Sequence, residues 1–239
     1  MKNSDLFIEA FNEIEHFFRR SIDSENYLPF SSQVTLLSSS NRIVKQKSFE
    51  LRLFADLRNA IVHTRRADST IAEPNNETVQ EIQHIRDLLI NPPQVLPLFQ
   101  DKVLSLSPDD DLKKALKDLF LNSYSQCPVV KNGVLVGMIT NNSIARWLGA
   151  QADEEGVCSI DFYKVTIRQV LDHQEEKEGF QVTSRTTNLA EVLESFHKAD
   201  ERGEFLQALF ITKSGKSHDP LLGIITRSDL PKIVSELSF

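Results

Sequence analysis

Cysteine is nearly absent from this chain: Cys127 and Cys158 stand alone, and neither belongs to a CxxC pair. That usage supplies no zinc or iron–sulfur framework and reads as two reduced core thiols rather than a disulfide. Long apolar runs are missing too. The start, Met1-Lys2-Asn3-Ser4-Asp5-Leu6-Phe7, lacks the apolar core of an export leader, and no later stretch approaches the roughly 20 apolar residues of a membrane-spanning helix. The expectation is a cytoplasmic protein with no membrane partner. Positive charge is the minority sign, with 27 Lys and Arg against 34 Asp and Glu and a net charge of −7. Such a balance argues against a general electrostatic grip on nucleic acid, while leaving room for a local basic patch.

What is present suffices for a core: 40% of the 239 residues are hydrophobic and 26% charged, which suits one or two globular domains. In the first 90 residues, Leu6, Phe7, Ala10, Phe11, Ile14, Phe17 and Phe18 recur at helical spacing, as do Leu51, Phe54, Leu57 and Ile61. A polar connection containing Ser38, Ser39 and Ser40 separates them. A third helical pattern, from about Thr78 to Ile90, stops at Asn91-Pro92-Pro93, where two prolines remove two donors. The expected division is a helical domain over 1–93 and a second domain over 94–239.

The second domain is one unit written twice, over about 94–150 and 160–239. Gly137-Met138-Ile139-Thr140 and Gly223-Ile224-Ile225-Thr226 each close an apolar run and each open into a helix. Leu104-Ser105-Leu106-Ser107-Pro108 before a helix at Leu112 matches Gln181-Val182-Thr183-Ser184-Arg185 before a helix at Leu189. The expected order in each copy is strand, helix, strand, strand, helix. Separation grows from 77 residues at Leu112 and Leu189 to 86 at the two threonines, so copy two carries longer hairpin loops. The fold class is therefore α+β, an α-helical bundle followed by a β-α-β-β-α pair.

Over roughly Val95 to Leu237 the two copies resemble a pair of cystathionine-beta-synthase (CBS) domains. The resemblance implies two halves about a pseudo-twofold axis, with clefts that commonly hold adenine nucleotides, and modules that sense rather than catalyse and pair into dimers. Its ligand signature, Thr or Ser followed three residues later by Asp, is complete in Thr226-Arg227-Ser228-Asp229. By resemblance Asp229 would take the ribose hydroxyls, Thr226 would reach ribose or phosphate, and Arg227 would meet phosphate at a helix N-terminus. Val182 and Thr183 complete the candidate site. Copy one reads Thr140-Asn141-Asn142-Ser143, so its carboxylate is missing and one competent site is expected, with Thr140 and Ser143 as the weaker candidates. Thr-x-x-Asp also describes a capping box, in which both side chains satisfy backbone donors. Pro231 suggests that the helix begins near Ser228, which would leave Thr226 free for a ligand.

Within Phe49 to His63, the segment Arg58 to His63 resembles the Arg-x4-His motif of HEPN domains, with Asn59 after the arginine. This resemblance spans roughly residues 4 to 92. It implies a helical bundle, in many members a metal-independent ribonuclease assembled where two protomers meet. His63 would act as general acid or base, Arg58 would stabilise phosphorane charge and Asn59 would orient one of them. On a helical wheel Leu53, Phe54, Leu57, Ala60 and Ile61 share one arc, with Arg58, Asn59 and His63 within about 140° on the other. Arg52 and Arg66 fall among the latter, and Arg42 to Arg66 holds seven basic residues against Glu50 and Asp56. The same residues also describe a solvated helix face ending in positive charge. A metal set of His16, His63 and His84 has no recognisable ligand spacing, so no metal is expected.

The expected protein is thus a homodimeric regulator that requires no cofactor and takes AMP, ADP, ATP or a relative as regulatory ligand. Its effector would be a HEPN-like domain that cleaves RNA. The competing expectation is a noncatalytic adaptor or regulatory subunit that docks a protein partner.

Overall fold

A computed structural model describes residues 2–22, 27–63, 72–152, 160, 162–176 and 178–238, leaving out the side chains of His63 and Tyr163. Two compact units emerge: Met1–Pro93 with Asn188–Glu191 and Val234–Phe239, and Gln94–Thr187 with Val192–Ile233.

The first unit is helical: α1 (Asn3–Ser21), α2 (Phe30–Leu37), α3 (Arg42–Gln46), α4 (Ser48–His63) and α5 (Asn76–Ile90). Aromatic spacing on α1 buries Phe7, Phe11, Ile14 and Phe18 along one stripe. The expected polar connection is more ordered than its composition suggests. It contains α2 and α3, with Ser38–Ser40 forming the turn between them. Phe30 anchors α2, its ring 4.6 Å from Phe11 and 5.2 Å from Phe18. The Asn41 side chain starts α3 by accepting from the Val44 N–H, and Asn75 does the same for α5 through Thr78.

The helix α4 departs from the wheel reading. Its buried stripe is Leu51, Phe54 and Ile61, whereas Leu53 is 50% exposed and Ala60 is also exposed. Arg58 lies four residues after Phe54 and three before Ile61, which puts it on the core-facing stripe. It is half-buried, while Asn59 is exposed. Arg58 and Asn59 therefore do not share the outward face expected of them.

The second unit holds α6 (Val95–Leu98), α7 (Leu112–Asn122), β1 (Gln126–Lys131), β2 (Val134–Thr140), α8 (Asn141–Ala150) and α9 (Ile167–Leu171). Copy two follows with β3 (Glu178–Ser184), α10 (Leu189–Glu201), β4 (Phe205–Thr212), β5 (Leu221–Thr226), a 3-10 turn (Arg227–Asp229) and α11 (Leu230–Glu236). In copy two β3 pairs parallel to β4, and β4 pairs antiparallel to β5. In copy one β1 and β2 form a hairpin whose turn residues, Asn132 and Gly133, have φ of 53° and 79°. Two successive positive φ values match the type I′ turn, whose twist suits flanking strands.

The expected first strand of copy one shrinks to a single parallel bridge, Leu106 with Val129. Proline explains the loss. Continuing the ladder would require the N–H of residue 128 to reach the Leu104 carbonyl, and Pro128 has none. The Cys127 thiol donates to that carbonyl instead, at 3.2 Å. Leu106, Leu112, Leu119, Val129, Ile139 and Trp147 belong to the core of copy one, and Leu135 and Met138 pack with Ala208 and Phe210 across the two copies.

The glycines of the repeated tetrapeptides differ in how tightly they are held. A Cβ on Gly223 would stand 1.9 Å from the Phe99 carbonyl oxygen, whereas one on Gly137 would stand 3.0 Å from the end of the Leu171 side chain. Backbone cannot swing aside as a leucine can. Gly223→Ala should cost about 1–3 kcal/mol, as overpacking does, and Gly137→Ala under about 1 kcal/mol. Urea unfolding followed by the fluorescence of Trp147 checks the ranking.

Candidate functional site

The strand β5 ends at Thr226, and the chain must then turn into α11 with its first N–H groups unpaired. Asp229 supplies the acceptor: its Oδ2 receives the Thr226 N–H at 2.8 Å and the Thr226 hydroxyl at 2.9 Å. Helical structure begins with the 3-10 turn directly after Thr226, and its hydroxyl is engaged rather than free. Both bonds fall on Oδ2. Among the described residues no hydrogen bond reaches Oδ1.

Beside this turn lies a cleft of about 610 Å³. One wall is Leu98, Phe99 and Asp101 to Leu104; another is Ser123 to Gln126 with Pro128; the third is Ile224, Thr226, Ser228, Asp229 and Lys232. The volume falls within the range of small-molecule sites, which is roughly 300–1,000 Å³. Carboxylates of Asp101 and Asp229, ammonium groups of Lys102 and Lys232, and a set of hydroxyls and amides share the lining with apolar Leu98, Phe99 and Ile224. The Lys232 ammonium lies 5.1 Å from the centre of the Phe99 ring, so it is held at the rim by a cation–π contact.

Arg227, expected at phosphate, does not line this cleft. Its Nε donates to the Leu206 carbonyl at 2.9 Å, its terminal nitrogens bond Asp200, and its guanidinium lies 4.5 Å from the Phe205 ring centre and 5.6 Å from that of Phe196. The Arg227 hydrogen bond holds the Asp200 carboxyl below its ordinary range. Val182 packs with the Leu135, Met138 and Phe210 cluster, and the Thr183 hydroxyl donates to that of Thr187 at 2.6 Å. Thr140 and Ser143 form a buried reciprocal cap, with Ser143 N–H bonded to the Thr140 hydroxyl and Thr140 N–H to the Ser143 hydroxyl. The cleft thus brings together Thr226 and Asp229 of the expected set. It adds Asp101, Lys102, Tyr124, Ser125 and Lys232, for which no motif exists.

In the helical unit, Arg58 Nη1 donates to Asn59 Oδ1 at 3.3 Å, and its Nε is buried with no partner among the described residues. Arg52 is tied to the Thr35 hydroxyl at 2.8 Å. The His63 side chain, Arg66 and Cys158 lie outside the described residues. His16 and His84 are exposed on α1 and α5, and no group of three His, Cys, Asp or Glu is placed to hold a metal among the described residues. A larger groove of about 720 Å³ runs along α1 past Glu13, His16 and Arg20, and among the described residues only Ile90 lines it from another helix.

Residues 97–150 match the CBS domain family model. The match takes in copy one and the Phe99 to Pro128 walls of the cleft; copy two is tied to it by the internal repeat. Among solved structures, the CBS domain pair of protein MJ0100, in complex with 5′-methylthioadenosine and S-adenosyl-L-methionine, is 18% identical with a TM-score of 0.44, over 61% of this chain and 98% of that one. The CBS domain of a CBS domain-containing membrane protein from Sphaerobacter thermophilus is 20% identical with a TM-score of 0.45, over 66% and 96%. Protein MJ1225 from Methanocaldococcus jannaschii is 16% identical with a TM-score of 0.44, over 74% and 62%. No curated protein matches the chain.

Within the CBS segment Cys127 serves as a reporter. It is 1% exposed, and burial pushes its thiol up to about 12. Thiolate is the reactive form. At pH 8 a maleimide should leave the Cys127 peptide unmodified in the folded chain and modify it fully in urea, as peptide mass mapping would record.

Proposed function

We propose that this protein is a regulatory adenosine-ligand sensor, with the cleft beside Asp229 as its ligand site and the helical unit as its output. The observation that carries the reading is the carboxylate at the cleft wall, which spends one oxygen on its own turn and keeps Oδ1 for a ligand hydroxyl. A ribose offers such hydroxyls, and a hydrogen bond to a carboxylate contributes about 1.5–3 kcal/mol. Phe99, Leu98 and Ile224 provide apolar surface for a base, and Lys102 and Lys232 provide charge for a phosphate or carboxylate tail. Regulation follows only where the ligand binds two arrangements of the protein unequally.

Calorimetric titration with AMP, ADP, ATP, S-adenosylmethionine and 5′-methylthioadenosine tests this. At least one should bind, and Asp229→Asn, which keeps an acceptor for the Thr226 N–H, should weaken it roughly tenfold or more. Absence of binding by the whole panel removes the sensor reading.

A second reading, RNA cleavage by the helical unit of a homodimer, draws on the orphaned Arg58 Nε and the basic run around it. Burying that nitrogen without a partner is costly, and a phosphate oxygen would relieve it. Incubation with structured and unstructured RNA in EDTA should then show cleavage that is lost in Arg58→Ala and His63→Ala. Intact RNA in every case supports the adaptor that docks a protein partner.

A further inference from the structure

The two copies place counterparts in register. Gln126 pairs with Thr140 as Ala208 pairs with Thr226, so Ser125 and Gln207, one residue earlier, correspond. Leu106 bridges Val129 as Thr183 pairs with Ile211, and five residues before each stand Asp101 and Glu178. Asn142 occupies the position of Ser228. Asp101, Ser125 and Ser228 all line the open cleft. Their counterparts Glu178, Gln207 and Asn142 instead bond one another.

Glu178 is 7% exposed. Its Oε1 accepts from Gln207 Nε2 at 2.6 Å and its Oε2 from Asn142 Nδ2 at 3.0 Å. The chain leading to it is fastened to the same wall. Gln174 Nε2 donates to the Met138 carbonyl at 2.7 Å, Arg146 Nε donates to the His173 carbonyl at 3.2 Å, and Asn142 also reaches Glu175 at 3.2 Å. Among the described residues Glu178 forms no ion pair, so two neutral amides hold a nearly buried carboxylate. Such a seat is costly unless its donors are well placed.

We propose that Glu178 is an internal plug, its carboxylate filling a second, latent ligand cleft equivalent to the one beside Asp229. Asn142 and Gln207 are the groups that a ligand would otherwise meet there, and the acid of this chain satisfies them first. The longer reach of glutamate over aspartate is what separates the closed copy from the open one. Glu178 thereby sets the ligand number of the pair. The ligand class rests on the adenosine reading of the open cleft, whereas the plug rests on geometry alone.

The test uses the full chain and AMP as the probe. Hydrogen exchange of amides 138–143 should be about tenfold faster or more in Glu178→Ala, because the carboxylate that holds the Asn142 side chain over that segment is lost. AMP stoichiometry should rise from one to two per chain. Glu178→Gln, which keeps the volume but only one of the two acceptors, should fall between the parent and Glu178→Ala in exchange and still bind a single AMP. If circular dichroism shows Glu178→Ala to be unfolded, Glu178→Asp, whose shorter chain cannot reach both Gln207 and Asn142, takes its place in both measurements. Unchanged exchange overturns the plug. Faster exchange with a single AMP bound overturns the latent site. Faster exchange with no AMP bound to either protein sinks the adenosine reading and supports the plug.

Discussion

The Phe99 carbonyl oxygen lies where a side chain on residue 223 would begin, and this contact organises the second unit. A backbone group that close to a strand cannot be accommodated by repacking, so the residue there has to be glycine. With Gly223 in place, the segment from Leu98 to Leu104 runs along β5 and becomes a wall. The opposite wall is drawn from Ser123 to Pro128, where the Cys127 thiol bonds the Leu104 carbonyl and ties the two walls together. The positions of the cleft walls are thus set by backbone contacts. Preformed walls lower the ordering cost that a ligand must overcome.

Duplication places the same elements twice, yet small changes of side-chain chemistry give the copies opposite states. Ser143 closes a fully buried cap with Thr140, so both hydroxyls are spent there and, among the described residues, only Asn142 and Gln207 remain on that side for a ligand. Asp229 makes the corresponding cap with one of its two oxygens. A carboxylate therefore retains an acceptor where a hydroxyl is used up. The alternatives of cap and ligand group, which compete when Thr-x-x-Asp is read as a pattern, are compatible once the two oxygens are counted separately. Pro128 adds to the asymmetry by cutting the parallel ladder of copy one to a bridge.

Legibility followed the period of the residues. Helices with regular apolar spacing, the proline stop after Ile90 and the repeat could all be read, because each is a local rule. The short helices α2 and α3 could not, since a single ring, Phe30 against Phe11 and Phe18, anchors α2 from outside its own segment. Arg58 was misplaced for a related reason. It occupies a core-facing position between Phe54 and Ile61, and a charged residue there looks like part of the polar arc to any wheel drawn by polarity. In the cleft, Thr226 and Asp229 carried a motif, whereas Asp101, Tyr124, Ser125 and Lys232 come from segments without one. Only the strand register brings them together. Extending the repeat alignment from hydrophobic positions to polar ones would have found Asp101 opposite Glu178.

Arg227 shows why adjacency in a motif is not adjacency in a site. Thr226 and Asp229 line the cleft, whereas Arg227 between them does not and is received by two aromatic rings and Asp200. That exposed ion pair adds little stability by itself. Its consequence is mechanical: the same three-residue turn is joined to the cleft through Asp229 and to α10 through Arg227. On the proposed reading, a ligand that drew the Asp229 carboxylate toward itself would pull on the Thr226 N–H, and the displaced turn would carry the guanidinium with it. The rings of Phe196 and Phe205 would then either follow or lose their contact. A small change at the cleft would in this way become a choice between two packings, because closely packed groups shift between discrete arrangements rather than deform continuously.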